Sequence, residues 1–425
     1  MNTAVPLPPP PPRRFETFLS QDGTHELFDK VAALDLFMHE ERPGYLSGLG
    51  LEMLGAVRNQ VELREKDGTE HEVVMMGSNS YLSLNTHPRV VAASQAACEQ
   101  YGYGMGSVPL FAGTSHLHRE LEKRIAAFYG TEEAILFPCG YSGNVGLIAS
   151  LCGPGDVVIN DAANHASIFD GCKLSGADVK VYIHNNMRHL EKILRGLPET
   201  QKGRLVVTDG VFSMDGDVAP LDEIAVLAKR YGARLMIDEA HALGVIGPTG
   251  RGTAEQFGLQ GKIDVTYGTL SKAPAAVGGY CAGSATLIQY LRYYARSYVF
   301  SSSLPAPVVA GLIEVFDLMA KDEAGREALW KNVHYLVSRL KALGFDTGAT
   351  HSAIVPVIVG DEDKLSGIHR DLRAEGIFTS VVTYPAVRRK ECRLRVSLMS
   401  THTRDQLDRT LQALETLGRK YGLIA

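Results

Sequence analysis

From about residue 70 to about residue 300 the chain alternates short apolar runs with amphipathic stretches. Leu205-Val206-Val207-Thr208 is rich in β-branched residues and is bounded by Asp209-Gly210. Pro220 then opens a helix, a position where its missing N–H costs nothing, with Leu221, Ile224, Leu227 and Ala228 along one face and Gly232 at its end. Leu235-Met236-Ile237 is the next strand and runs into Asp238. Similar apolar runs lie at Ala134–Phe137, Val157–Ile159, Val179–Tyr182 and Ile263–Tyr267. This alternation predicts an α/β fold with a mostly parallel sheet covered on both faces.

The last 120 or so residues have a different pattern. Ile354–Val359 and Leu394–Leu398 predict strands, with helices between and after them. The final helix should open on a capping box of Thr403 and Gln406, carry the stripe Leu407, Leu411 and Leu414, and stop at Gly418. We therefore expect a separate, smaller α+β domain, reached through Ser301-Ser302-Ser303-Leu304-Pro305. At the other end Pro8 to Pro12 form a five-proline run, which predicts a solvated polyproline II spacer. The expected division is an N-terminal arm with spacer and helix over 1–60, a large domain over 61–305 and a small domain over 306–425.

Composition narrows the class. The 425 residues are 45% hydrophobic and 21% charged, close to the globular average, which excludes a collagen-like, wholly disordered or disulfide-scaffold chain. The 43 basic against 48 acidic residues give a net charge of −5, so nucleic acid is not an expected partner. Two uncharged stretches, 134–155 and 273–291, are too rich in Gly, Pro and Asn to be membrane spans, and no signal peptide is visible. A cytoplasmic protein with no integral membrane segment is expected. The six cysteines are scattered without a C-x-x-C pair, which predicts free thiols and no metal site.

In open α/β sheets ligands bind at the carboxyl ends of the strands, and four segments place polar residues there. Pro138-Cys139-Gly140-Tyr141-Ser142-Gly143-Asn144 is a Gly-rich turn ahead of a helix, able to offer backbone N–H groups to an anion; two successive helix caps would look similar. Asp238-Glu239-Ala240-His241 has the letters of a helicase box, but the chain has no G-x-x-x-x-G-K-[ST] loop, so that class is excluded and an acidic strand end remains. Gly268-Thr269-Leu270-Ser271-Lys272 places a lysine among apolar residues, where burial would depress its pKa and make it a nucleophile toward carbonyls. A snorkelling loop lysine is the alternative. Asn164-His165-Ala166-Ser167 adds a histidine, while the segment around Ser213 lacks the G-x-S-x-G spacing of a serine nucleophile. Together a lysine, an aspartate for a pyridinium nitrogen, an anion cup and flanking hydroxyls are what pyridoxal phosphate requires.

The chain resembles the α-oxoamine synthases, a branch of the fold-type-I pyridoxal phosphate enzymes, over about residues 45 to 420. The resemblance rests on Gly113-Thr114 with His118, Leu121 and Glu122; on Gly140-Tyr141 with Asn144; on His165-Ala166-Ser167 with Asp170-Gly171; and on Gly210 to Gly216. It rests also on Asp238-Glu239-Ala240-His241 with Gly244 and Gly250-Arg251-Gly252, on Gly268 to Lys272, and on Phe300-Ser301 with Leu304-Pro305. It implies an aspartate-aminotransferase-like fold, with catalytic Lys272, His165, Asp238 and His241. Lys272 would hold the cofactor and move the Cα proton. Asp238 would pair with the pyridine nitrogen, His241 and Ser213 would bond the ring hydroxyl, and His165 would stack on the ring. The amides of Gly140 and Tyr141, with Thr269 and Ser271, would hold the phosphate. Ser302 stands where a family threonine reaches the phosphate of a neighbouring subunit, which implies a homodimer. Arg395 would bind the amino-acid carboxylate.

Departures from the family pattern fall on substrate positions. Asn79-Ser80-Tyr81-Leu82-Ser83 stands for Asn-Asn-Tyr-Leu-Gly, Pro109 replaces an arginine, Lys272 is followed by Ala273-Pro274, and around Ala386 the usual Pro-Thr-Val-Pro-x-Gly loop becomes Pro385-Ala386-Val387-Arg388-Arg389-Lys390. Ser80, Tyr81 and Ala386 are thus the substrate-side candidates beside Arg395. The implied reaction is a decarboxylative Claisen-type condensation of an amino acid with an acyl thioester, acyl-CoA or acyl carrier protein. Ser271-Lys272 and Met399-Ser400-Thr401-His402-Thr403 look most like serine palmitoyltransferase-like members, which puts L-serine and a long acyl chain first. Alternatives are a specialised-pathway relative using alanine, glycine or a carrier-bound acyl group, and an aminotransferase. A scaffolding homologue would be expected to lack Lys272. Arg388-Arg389-Lys390, at the mouth expected for the acyl donor, is either a patch for phosphates or an acidic carrier, or a solvated loop.

Overall fold

The computed structural model describes residues 18, 26–42, 44–321 and 323–425; the proline run Pro8–Pro12 lies outside them. At its centre is a seven-stranded sheet in the order Glu133–Phe137, Gly279–Gly283, Val265–Thr269, Arg234–Asp238, Arg204–Asp209, Val157–Asp161, Asp178–Tyr182. Five of these strands pair in parallel, as the alternating pattern predicts. Consecutive residues of a strand face opposite sides. Leu205 and Val207 accordingly enter a core with Ile148, Ile168 and Ile288, while Val206 enters another with Leu190, Ile224 and Leu227. Both faces are covered.

Gly279–Gly283 is antiparallel to both neighbours, Glu133–Phe137 and Val265–Thr269. Its sequence, Gly-Tyr-Cys-Ala-Gly, carries little β propensity, and its place in the sheet is set by neighbours instead: all five residues are buried. The strand expected at Ile263–Tyr267 begins at Val265 and runs to Thr269, so Ile263 precedes it. That shift brings Thr269 to the carboxyl end of the strand, next to the lysine loop.

The C-terminal part holds a three-stranded antiparallel sheet of Ile354–Ile358, Arg393–Ser397 and Ser380–Val382. A hairpin of Gln60–Arg64 and Glu70–Met75 belongs to a further, four-stranded sheet with Glu52–Met53 and with Ile377–Phe378, which pairs in parallel with Glu70–Met75. The last helix, Arg404–Lys420, carries the Thr403/Gln406 capping box and buries Leu407, Leu411 and Leu414. Gly418 does not stop it. That residue lies inside the helix, where a Cβ would come 2.5 Å from Phe345, so it is a packing glycine, and Gly422 at φ +68° follows the end. All six cysteines are free thiols, as their spacing predicts.

Candidate active site

The carboxyl ends of Glu133–Phe137, Arg204–Asp209, Arg234–Asp238 and Val265–Thr269 converge on a cavity of about 220 Å³. Gly140, Tyr141, His165, Asp238, His241, Thr269, Ser271 and Lys272 all line it. The helix Gly140–Leu151 points its N-terminus there, with Cys139 as its cap. Gly143 N–H already bonds Cys139 O, and the first amides, on Gly140 and Tyr141, lie at the positive end of the helix dipole. Close approach demands the glycines: a Cβ at Gly140 would sit 2.6 Å from Thr269 Oγ1, and the Tyr267 hydroxyl donates to Gly140 O. Thr269 Oγ1 and Ser271 Oγ are 2.8 Å apart beside this helix start. Two hydroxyls and a row of free amides form an anion cradle.

Opposite the cradle, Asp238 is buried at its strand end. Its Oδ2 accepts from Asn144 Nδ2 at 2.7 Å and its Oδ1 from Ala240 N–H at 2.9 Å. Asn144 Nδ2 also reaches Ser167 Oγ at 3.0 Å, and Ser167 Oγ lies 2.7 Å from His165 Nδ1, so one amide sets both the carboxylate and the imidazole. Lys272 Nζ lies 2.6 Å from His241 Nε2. Burial pulls the lysine down to about 8 against the opposing pull of Asp238. Burial also holds His241 well below 6.5, reinforced by the Lys272 and Arg395 cations, and lowers His165. The cavity therefore pairs a weakened ammonium with neutral imidazoles and one well-solvated-by-protein carboxylate.

Among the described residues, Asn144 Oδ1 and Asp209 Oδ1 are buried polar atoms without a hydrogen-bond partner. Asp209 lines the same cavity, and burial, with Asp238 beside it, raises its pKa well above the usual carboxylate range. It was not legible as a site residue, since its place before Gly210 reads as a strand boundary. Its pairing with Asp238 across parallel strands is a tertiary fact. Tyr267 is likewise a strand residue in sequence and a cavity residue in the fold.

Other candidates lie outside the cavity lining. Arg395 is buried; its Nε donates to Ser213 O at 2.6 Å and its Nη1 to Asn79 Oδ1 at 3.0 Å. Ser213 is buried and meets Arg395 through its carbonyl. Tyr81 OH is 2.7 Å from His241 Nδ1, so this residue joins the site from behind the histidine. Ser80 turns its hydroxyl to Asn85 instead. Ser302 and Ala386 are exposed. Arg388 Nε sits 3.5 Å from Glu391, and Arg389 lies over the Tyr384 ring at 5.4 Å, so the basic run is partly compensated.

The turn carrying Ser213 is pinned from below by His184. This ring bridges Asp161 at 2.9 Å and Asp217 at 2.8 Å and stands nearly perpendicular to the Phe212 ring, their centroids 4.3 Å apart. Burial opposes its charge, but hydrogen bonds to the two carboxylates win and push it up to about 10. A raised pKa stabilises the fold fully below the unfolded value near 6.5, and this stabilisation is lost as pH rises through about 10. His184→Gln should thus cost about 2 kcal/mol at pH 6, read by urea unfolding, with the deficit shrinking toward pH 10. A deficit independent of pH would show that the charge is irrelevant.

The donor set fits one prosthetic group. A buried carboxylate facing a depressed lysine across a narrow cavity, with an amide-and-hydroxyl cradle at one end, matches the nitrogen, aldehyde and phosphate of pyridoxal phosphate. Comparison with known proteins agrees. The family model for aminotransferase class I and II matches residues 71–414. An 8-amino-7-oxononanoate synthase of Thermoanaerobacter pseudethanolicus is 43% identical over 83% of this chain and 89% of its own length. The 4-hydroxy-2,2'-bipyrrole-5-methanol synthase PigH of a Serratia species is 40% identical over 97% of this chain, which spans only 63% of that longer protein. Among solved structures, a serine palmitoyltransferase from S. paucimobilis with a bound PLP–myriocin aldimine superposes with a TM-score of 0.88 at 34% identity, covering 94% of this chain and all of the other. In sequence, fold and cofactor chemistry the chain belongs to the α-oxoamine synthases, pyridoxal phosphate-dependent, acyl-transferring enzymes of the fold-type-I class.

Proposed function

We propose that this enzyme condenses L-serine with an acyl thioester, a long-chain one in first place, releasing CO₂ and the free thiol and giving an α-amino ketone. The observation that carries the reading is Lys272, half-buried in the cavity, 2.6 Å from His241 and drawn down to about 8 against the pull of Asp238. Pyridoxal phosphate, when bound, supplies an electron sink for the pair left at the amino acid's Cα. Asp238 would keep a proton on the ring nitrogen, and the Gly140 and Tyr141 amides with Thr269 and Ser271 would fix the phosphate. Lys272, neutral above about pH 8, would take the Cα proton. Arg395 would hold the carboxylate, its orientation locked by Ser213 O, Asn79 and Ser397. His165, held by Ser167, would cover the ring face.

A homodimer is part of this proposal. Ser302, Phe300 and Phe111 are all exposed, and Ser303 N–H bonds Ser107 O, which ties the segment of Ser302 to the one leading to Phe111; exposed large apolar rings of this kind fit a second copy. No helix among the described residues is long and apolar enough to cross a membrane, which accords with the proposed cytoplasmic setting.

A carrier-bound donor is the second reading, favoured by the exposed basic run Arg388-Arg389-Lys390. The deciding experiment incubates the holoenzyme with serine, alanine and glycine, each with acyl-CoA or acyl carrier protein donors, and follows CO₂ and ketone by mass spectrometry. Product from serine and acyl-CoA supports the first reading; product from a carrier donor alone supports the second; amino-group transfer without ketone would identify an aminotransferase and defeat both. An Arg388→Ala/Arg389→Ala/Lys390→Ala variant should raise the KM of the preferred charged donor about threefold at low salt and approach wild type as salt screens the patch. Equal KM at every salt concentration would make the run a solvated loop only.

A further inference from the structure

Three side chains, joined by four contacts, connect the lysine to the arginine. Lys272 Nζ lies 2.6 Å from His241 Nε2, His241 Nδ1 lies 2.7 Å from Tyr81 OH, Tyr81 OH lies 3.4 Å from Asn79 Oδ1, and Asn79 Oδ1 lies 3.0 Å from Arg395 Nη1. Hydrogen-bonding valence gives this chain a direction. An ammonium and a guanidinium have donors and no acceptor, so both ends must donate inward. A charged Lys272 donates to Nε2, which places the neutral ring's proton on Nδ1. Nδ1–H then donates to the Tyr81 oxygen, the Tyr81 hydroxyl is left to donate to Asn79 Oδ1, and Arg395 Nη1–H donates to the same oxygen. Every link is satisfied in this one arrangement only.

We propose that Tyr81 is a positioning residue that holds His241 in the tautomer whose Nε2 lone pair faces Lys272, and so ties the lysine's charge to the arginine assigned to the substrate carboxylate. The inference rests on the reading in which Lys272 carries the cofactor. The tyrosine suits the task because it cannot move. It is 1% exposed, packed in the core with Val74, Met76 and Ala242, and burial pushes its phenol up to about 12, so it remains a neutral donor. His241 is equally enclosed. Charged groups acting on Lys272 are Asp238, Arg395 and Asp209, with His165 close by, and of these Arg395 also acts directly on the Tyr81 hydroxyl and on His241. Asn79 also accepts from Ser397 Oγ at 3.4 Å, so the far end has a second anchor on the strand that carries Arg395.

The test uses the full chain freed of cofactor. Pyridoxal phosphate adds only to the free amine of Lys272, so its addition rate against pH reads the lysine's titration without any turnover. Mass spectrometry after borohydride reduction first locates the adduct; attachment elsewhere in the wild type would overturn the cofactor reading rather than the role of Tyr81. In Tyr81→Phe the ring stays packed and His241 becomes a weaker acceptor, so the charged lysine loses support. The rate profile should move to lower pH by about half to one unit, the shift that losing one hydrogen bond supplies. Asn79→Ala, which leaves the tyrosine untouched, should move it the same way by less. In a His241→Asn background Tyr81→Phe should change nothing further. An unmoved profile in both single variants, or an equal shift with and without His241, would overturn the proposal.

Discussion

Lys272→Ala is expected to abolish turnover, a loss of at least about 10⁴-fold, together with the borohydride-trappable link between cofactor and protein. Two roles fall on this one amine, covalent attachment and movement of the Cα proton, and no neighbour can replace it. His241 is within 2.6 Å but is held well below 6.5 by burial and by the surrounding cations, so it is a poor base and cannot form the link. Removing the lysine leaves the cradle intact, so pyridoxal phosphate should still bind, reversibly, and wash out on dialysis. Retention of turnover and of a trapped adduct in the variant would end the assignment of the lysine. Retained noncovalent binding with no turnover is the expected pattern.

Asp238→Ala should lower cofactor affinity about 100-fold and nearly abolish Cα-proton exchange with deuterated solvent. The carboxylate's charge is concentrated by Asn144 and by the Ala240 amide, both of which orient it, so its removal strands Asn144 Nδ2 with Ser167 as sole partner. That loosening would reach His165 through Ser167 and make the defect larger than loss of one charge alone. Equilibrium dialysis for binding and nuclear magnetic resonance for solvent exchange separate the two effects. Normal exchange at saturating cofactor would remove Asp238 from the ring nitrogen.

Much of this arrangement was readable from residue order because parallel strands end in the residues that follow them. Ala134–Phe137 into Gly140, Leu235–Ile237 into Asp238, and Thr269 to Lys272 each join an apolar run to a polar end, and the fold brings those ends together. The capping box at Thr403 and Gln406 is a local code and appears as written. Gly418 misled because glycine signals both helix ends and close contacts, and only Phe345, 73 residues away in the chain (418 − 345), distinguishes them. The strand Gly279–Gly283 escaped because two glycines and an alanine carry no strand signal until two neighbouring strands impose one. The hairpin Gln60–Met75 did carry a signal, with Val61 and Leu63 inward, Glu62 outward and Asp67-Gly68 at the turn. Asp209 could not be found this way, since it enters the site across a sheet, and Tyr81 is a candidate only through the family resemblance, since it reaches His241 from a distant segment.

That glycine-bordered strand has a bearing on the lysine. Val265–Thr269 and Gly279–Gly283 pair residue for residue, so the segment between them is closed at both ends by one ladder. Leu270 N–H bonds Gly278 O, Ala276 N–H bonds Leu270 O and Ala275 N–H bonds Lys272 O, which leaves the backbone around Lys272 few alternative states. The conformational entropy of that backbone, about 1–2 kcal/mol per residue, is surrendered when the chain folds and not again at each catalytic cycle. What stays mobile is the side chain, four methylenes long, swinging from a fixed pivot. An amine that must leave its partner and return to it within every cycle is thereby tethered at high effective concentration, so its return is an intramolecular step.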